Sequence, residues 1–264
     1  MKPSPVVGFW GPARLTATGF ILLILAGTVA LMLPFAAHGQ TWTPLMPAVF
    51  TATSAVSLTG LVVEDTATYW TPFGQVVILI LIQLGGLGIM SVASLSGMVI
   101  TGRISLRARG RGAAEGRPIS AGGIRRSLVF TLAFTLIAEG VVAFILWLRF
   151  WLGYGHTPLR AAWEGVFHAV SAFNNAGFST QSDNAVPFAA DAWVLLPLAV
   201  AFIGGGLGYP VWSEAASWLR HGAWRTQVWS LTAKFTFFAT ATLLTIGALF
   251  FALCEWNLSL IHIS

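Results

Sequence analysis

Hydrophobic positions in this chain collect into five runs long enough to cross a bilayer, at about residues 15 to 35, 72 to 100, 126 to 150, 191 to 216 and 230 to 254. The measure is that about 20 apolar residues at helical rise span the hydrocarbon core. Two further apolar runs, about 44 to 56 and 158 to 173, are too short to cross. Each ends in a glycine-containing stretch before more polar sequence, the pattern of a re-entrant half-helix or a buried core helix. Both open with helix-entry chemistry. Thr43-Pro44 and Thr157-Pro158 place a hydroxyl at the N-cap and a proline in the first turn, where its missing N–H costs nothing. The two short runs are therefore read as half-helices that begin near water and point inward.

The short runs are copies of one another. Val49-Phe50-Thr51-Ala52-Thr53-Ser54-Ala55-Val56-Ser57-Leu58-Thr59-Gly60 recurs 117 positions later as Val166-Phe167-His168-Ala169-Val170-Ser171-Ala172-Phe173-Asn174-Asn175-Ala176-Gly177, with six identities. A second echo follows each copy: Gly85-Gly86-Leu87-Gly88 and Gly205-Gly206-Leu207-Gly208. Duplication of this size inside a membrane usually surrounds a shared binding or permeation site. The expected fold is an all-α integral membrane protein built from repeated units of helix, re-entrant pore half-helix with filter loop, and helix, arranged around a pore. Residues 1–100 form the first pore-loop unit, 101–126 a basic link, 127–217 the second unit and 218–257 the first helix of an interrupted third, with 258–264 a non-native tail.

Composition supports the membrane reading: charged residues are 9%, hydrophobic ones 56% and mean hydropathy is +0.78. The net charge of +5 does not point to nucleic acid, because the arginines lie between apolar runs, where membrane orientation accounts for them. Arg103, Arg107, Arg109, Arg111, Arg117, Arg125 and Arg126 face a single acid, Glu115, in the 101–126 link, which places that link in the cytoplasm. Arg220 and Arg225 agree, and the opposite links carry Glu64, Asp65, Asp183 and Asp191. The N-terminus is then cytoplasmic, the chain multi-pass in the cell membrane, and both half-helices enter from outside. Lys2 and Arg14 precede a run that is long enough to be the first span rather than a signal peptide. The lone Cys254 excludes an internal disulfide or cysteine metal site.

A half-helix aimed at mid-membrane presents the negative end of its dipole and its unpaired carbonyls, so a cation is the natural guest. Beyond it the backbone must run extended with carbonyls replacing an ion's hydration shell, which needs positive φ that glycine adopts cheaply. That gives filter roles to Ser57, Leu58, Thr59 and Gly60, and to Asn174, Asn175, Ala176 and Gly177. No acid stands in either segment, so backbone oxygens would select the ion, and potassium fits them better than calcium or magnesium. No cofactor and no other metal are expected.

Residues 51–55 through Thr59-Gly60-Leu61, then Gln83-Leu84-Gly85-Gly86-Leu87-Gly88-Ile89-Met90, and Ser171-Ala172-Phe173-Asn174-Asn175-Ala176-Gly177-Phe178-Ser179 resemble the Ktr/Trk potassium-uptake proteins, on the side of the Ktr pore subunit. The resemblance runs from the first span through the fifth. It implies four such units around one pore, each giving one filter strand, in a homodimer gated by a cytoplasmic nucleotide-binding regulatory subunit. Two units and one extra helix are present, so the chain reads as an N-terminal half; the alternatives are a two-unit channel subunit that dimerises and a non-functional fragment.

Other residues were weighed against these. Glu139, within the third span, is a functional candidate by its position, with a buried acid bonded to a neighbouring hydroxyl or to another unit as the plainer reading. His168 is read as packed or hydrogen-bonded, since no second ligand is spaced to hold a metal. Asp183 and Glu64 flank the filters as solvated loop acids or cation-concentrating charges, and the two Gly-Gly-Leu-Gly motifs as close-packing positions. No Ser/His/Asp set, HExxH or P-loop pattern supports an enzyme.

Overall fold

A computed structural model describes residues 12–39, 42–88, 121–221 and 231–255, and among these described residues proline, glycine and the apolar runs mark out seven α-helices. They are α1 (Pro12–Met32), α2 (Leu45–Ser57), α3 (Pro72–Gly88), α4 (Ala121–Tyr154), α5 (Pro158–Phe173), α6 (Ala192–His221) and α7 (Leu231–Glu255). A 3₁₀ turn at Val186–Phe188 precedes α6, and no strand occurs among the described residues. The all-α expectation stands. Most of the 101–126 link and the whole 258–264 tail lie outside the described residues.

Val129–Tyr154 and Ala233–Cys254 are long and apolar enough to cross a membrane. The apolar helical stretches in the other three expected spans are shorter: Thr16–Met32, Pro72–Gly88 and Ala192–Gly208. One expected span needs correction. The run from 191 to 216 is not an unbroken helix, because Gly208 sits inside α6 at φ 74°, ψ 163°, which interrupts the i→i−4 ladder.

The chain forms two bodies, residues 1–206 and 207–264. Within the first, α1, α2 and α3 pack around Leu31, Ala52, Val56, Trp70, Ile78 and Ile82, with Phe167 and Val170 of α5 in the same cluster. A second cluster joins Leu146 and Phe150 of α4 to Ala169 and Phe173 of α5 and Val194 of α6. Gly165 brings α5 against α4, since a Cβ there would lie 2.9 Å from the Ala143 carbonyl. The segment after α1 is clipped to the start of α3 by an antiparallel bridge between Ala37 and Trp70 and by Thr71, whose hydroxyl donates to the Phe35 carbonyl at 2.6 Å. Within the same body, α5 is tied to α3 by Trp163, whose indole donates to Gln75 Oε1 at 2.8 Å while Gln75 Nε2 donates to the Thr66 carbonyl.

The half-helix entries differ from each other. Thr157 is the N-cap of α5, its hydroxyl accepting from Arg160 N with Pro158 at the first position, as the sequence predicts. At α2 the expectation fails: Pro44 is the N-cap, its ψ of 147° keeps it extended, and no side chain caps the helix. Thr43, one residue too early to reach the first-turn amides, is buried with no partner for its hydroxyl.

Candidate functional site

The two half-helices end in the same way, position for position. After α2 the chain turns through Leu58 in the left-handed region (φ 58°, ψ 35°), and Thr59 N donates back to the Ser54 carbonyl at 3.1 Å. After α5, Asn175 takes φ 57° and Ala176 N donates to the Ser171 carbonyl at 2.8 Å. This six-residue closure satisfies one orphan carbonyl and reverses the chain. It leaves the remaining terminal carbonyls at the negative end of each helix dipole. Ser54 and Ser171, which are identical between the copies, also hold the departing strand: Thr59 Oγ1 donates to Ser54 Oγ at 3.0 Å, and Ser171 Oγ donates to the Phe178 carbonyl at 2.6 Å. Sequence reading noted the identity of this serine pair without assigning it a task.

Two residues beyond each left-handed turn come Gly60 and Gly177, at φ 73° and 74°, where an L side chain would be strained. These glycines touch. A Cβ added at Gly60 would lie 2.7 Å from the Ala176 carbonyl and 3.1 Å from Gly177 Cα; one added at Gly177 would lie 3.2 Å from Gly60 Cα. The ends of α2 and α5 therefore converge, with the backbones at Gly60 and Gly177 in van der Waals contact. Of the other named positions, Ser57 is exposed and its hydroxyl donates to the Thr53 carbonyl, while Leu58 is half-buried and Thr59 exposed. Asn174 and Ala176 are buried, and Asn175 is exposed with its amide donating to the Phe202 carbonyl at 3.3 Å.

Gly85, Gly86 and Gly205 of the Gly-Gly-Leu-Gly motifs are close-approach positions, and what they approach is the end of α2 or α5, whereas Gly208 breaks its helix. A Cβ on Gly85 would collide with the Val56 carbonyl, and one on Gly205 with the Phe173 carbonyl. Val56 and Phe173 are matched residues of the two copies. Gly86 leaves the space that the Asn174 carboxamide fills. The expectation for Glu139 is corrected in its partner: the acid accepts from the Asn174 amide at 3.0 Å rather than from a hydroxyl.

The loops beyond the strands are tied down as well. Asp65 accepts from Ala67 N, Thr68 Oγ1 and the Ser182 hydroxyl. Burial alone would lift the Asp65 pKa, and these hydrogen bonds more than offset it, holding the carboxyl below its usual value. Asp191 caps α6 through Trp193 N and pairs with Arg149 Nε at 2.7 Å and the Tyr154 hydroxyl at 2.9 Å. Arg149, a charge at the end of an apolar run, was not singled out from the sequence. His168 is satisfied: Nδ1 faces the Glu164 carbonyl at 2.7 Å and so donates, which leaves Nε2 to accept from Ser179 Oγ at 3.1 Å. Among the described residues no group of three His, Cys, Asp or Glu is placed to hold a metal.

Comparison with known proteins gives this geometry a context. The family model of the TrkH cation transport proteins matches residues 15–263. The Ktr system potassium uptake protein B of Bacillus subtilis is 40% identical over 202 residues, covering 76% of this chain and 44% of the relative. The potassium/sodium uptake protein NtpJ of Enterococcus hirae is 33% identical over 248 residues, 93% of this chain and 53% of its own. The Ktr system potassium uptake protein B of Vibrio alginolyticus is 34% identical over 254 residues, 93% and 52% of the respective chains. The chain thus spans about half the length of the curated relatives it matches. With the model match running over nearly all of it, the chain belongs to the TrkH family of cation transport proteins.

Proposed function

We propose that the complete polypeptide carrying this sequence takes up potassium through a membrane pore, with residues 57–60 and 174–177 as two of its filter strands. The observation that carries this is the contact of Gly60 with Gly177 at the converging ends of two half-helices. Strands in van der Waals contact cannot hold an ion between them, so both must present their carbonyls to one side, as neighbouring staves of a ring. Potassium follows from the absence of carboxylates in either strand and from relatives whose names specify potassium or potassium and sodium uptake. Two further strands close the ring, in keeping with relatives twice as long.

The remaining readings rest on the arginine pattern and on family resemblance. The 101–126 link and the N-terminus are cytoplasmic, 1–100 and 127–217 are the two pore-loop units, and the polypeptide works as a homodimer with a cytoplasmic nucleotide-binding regulatory subunit. The test is growth at low potassium, with rubidium uptake, in cells lacking their own potassium uptake. The polypeptide restores growth, and Gly60→Ser or Gly177→Ser weakens it or admits sodium, because a side chain restricts the φ that aims the strand and strikes its neighbour. Unchanged preference for potassium over sodium in both variants rejects the filter roles.

A further inference from the structure

Behind the second strand lies a buried polar contact that the pore as described does not require. Asn174 is the last residue before the left-handed turn at Asn175 that leads to Gly177. Its side chain is buried and its amide donates twice, to the Val170 carbonyl at 2.9 Å and to Glu139 Oε1 at 3.0 Å. Glu139 comes from the middle of α4 and is only 5% exposed. It lines a cavity of about 330 Å³ with Gln83 of α3 and Val166 and Val170 of α5, whose other walls are apolar. From the far side Gly86 of α3 leaves the gap in which the carboxamide oxygen sits. Three helices thus converge on one carboxamide.

The first copy has nothing comparable at the matched position. Ser57 is exposed, and its hydroxyl donates to a carbonyl of its own helix, Thr53. An acid is costly at membrane depth, and one that stays buried there generally has a specific partner. Its partners here are Gln83 of α3 and Asn174, the residue that leads into the filter turn. An anchored carboxamide fixes the side chain of Asn174, and through it the peptide planes that lead into Ala176 and Gly177, whose carbonyl directions decide which ion is matched.

We infer that Glu139 is a positioning residue for cation specificity: by accepting from the Asn174 amide, it holds the second strand, taken as a filter strand as proposed above, in its selective geometry. It does not touch the ion. The requirement is for an acceptor at that place, so Glu139→Gln, which keeps a carbonyl oxygen, should serve, whereas Glu139→Leu should not.

The experiment measures rubidium and sodium uptake by the complete polypeptide carrying this sequence, in cells without their own potassium uptake, alongside the amount inserted in the membrane. Glu139→Leu should lower the potassium-over-sodium preference about fivefold, the effect of one lost hydrogen bond. Glu139→Gln should stay within about twofold of the parent, on the same scale. Asn174→Ser, which copies the first unit and retains the backbone carbonyl, should reproduce the shift, and adding Glu139→Leu to it should change nothing more. Should Glu139→Leu fail to insert, Asn174→Ser reads the same bond from its other end. Unchanged preference in Asn174→Ser, or a Glu139→Gln variant as impaired as Glu139→Leu, overturns the positioning role while leaving the pore intact. A parent polypeptide that moves neither cation overturns the pore reading itself, and this inference with it.

Discussion

Leu58 occupies a backbone conformation that costs an L residue about 1 kcal/mol, and it does so because the turn out of α2 requires it. The second copy meets the same requirement with Asn175, a residue that tolerates the left-handed region. The ordinary ranking of half-buried substitutions should therefore reverse here. Leu58→Val, apolar but β-branched, should lower the thermal midpoint of the purified protein more than Leu58→Asn, by a margin of about 1 kcal/mol. A Val variant at least as stable as the Asn variant would show that packing and not backbone strain governs this turn. Asp191 gives a second prediction at this scale. Burial acts to raise its pKa, and the hydrogen bonds from Arg149, Tyr154 and Trp193 N together with the Arg149 charge outweigh it, so the folded value lies below the ordinary 3.8 of an aspartate. A depressed carboxyl contributes stability that is complete above its unfolded pKa and fades as pH falls through the folded one. Asp191→Asn should thus be less stable than the parent near neutrality, and the gap should shrink as pH drops below about 3.8. A gap independent of pH would assign the effect to geometry alone.

At the scale of elements, what the duplicated unit preserves is the contact between a half-helix end and the helix that follows it. Gly85 against Val56 and Gly205 against Phe173 are the same contact made twice. Gly205→Ala should prevent that approach, displace the strand and lower the yield of folded protein on size-exclusion chromatography. Gly19→Ala, in α1 with nothing within 4 Å of the new methyl, should behave as the parent. Equal yields from both would mean that the motif is not a packing constraint. This repeated contact was legible in the sequence because backbone approach and positive φ both demand glycine, so their traces recur at fixed offsets. Contacts that any of several residues could make left no such trace. Glu139 and Asn174 lie 35 positions apart on different helices, and nothing in the linear pattern says that their faces meet. Thr43 fitted the capping pattern, but the extended ψ of Pro44 moved the helix start by one residue and took the hydroxyl out of reach. Gly208 read as one more packing glycine, and its φ of 74° marks a break instead. Arg149 was hidden in a run whose hydropathy outweighs one charge; its partner Asp191 lies 42 positions on.

For the whole molecule, the decisive quantity in the proposed pore is how many strands face the ion. Two strands in contact shield an ion on one side only, and replacing a hydration shell takes a ring of carbonyls. The surface beside them is apolar and open: Leu61, Val62 and Val63, which follow the first glycine, are 64%, 50% and 56% exposed. Asn175 and Gly177 are exposed as well. In the second body, α7 is exposed or half-buried along Ala233–Cys254 apart from Ala233, which is buried near its start. Polar backbone left open to hydrocarbon costs several kcal/mol per group, on the order of 2 to 7, so a half-built ring in lipid should be misassembled and not merely leaky. The 264-residue chain by itself, purified and reconstituted into liposomes under a potassium gradient, is accordingly expected to insert without conducting potassium selectively. The rival architecture makes the opposite forecast. If two copies of this chain pair to supply four strands, the same liposomes should show a potassium flux that survives dilution only as far as the dimer does, and Gly177→Ser should abolish it. Selective flux with that sensitivity would replace the four-unit polypeptide by a dimer of two-unit subunits, and a silent chain that becomes active only within a longer polypeptide would exclude the dimer.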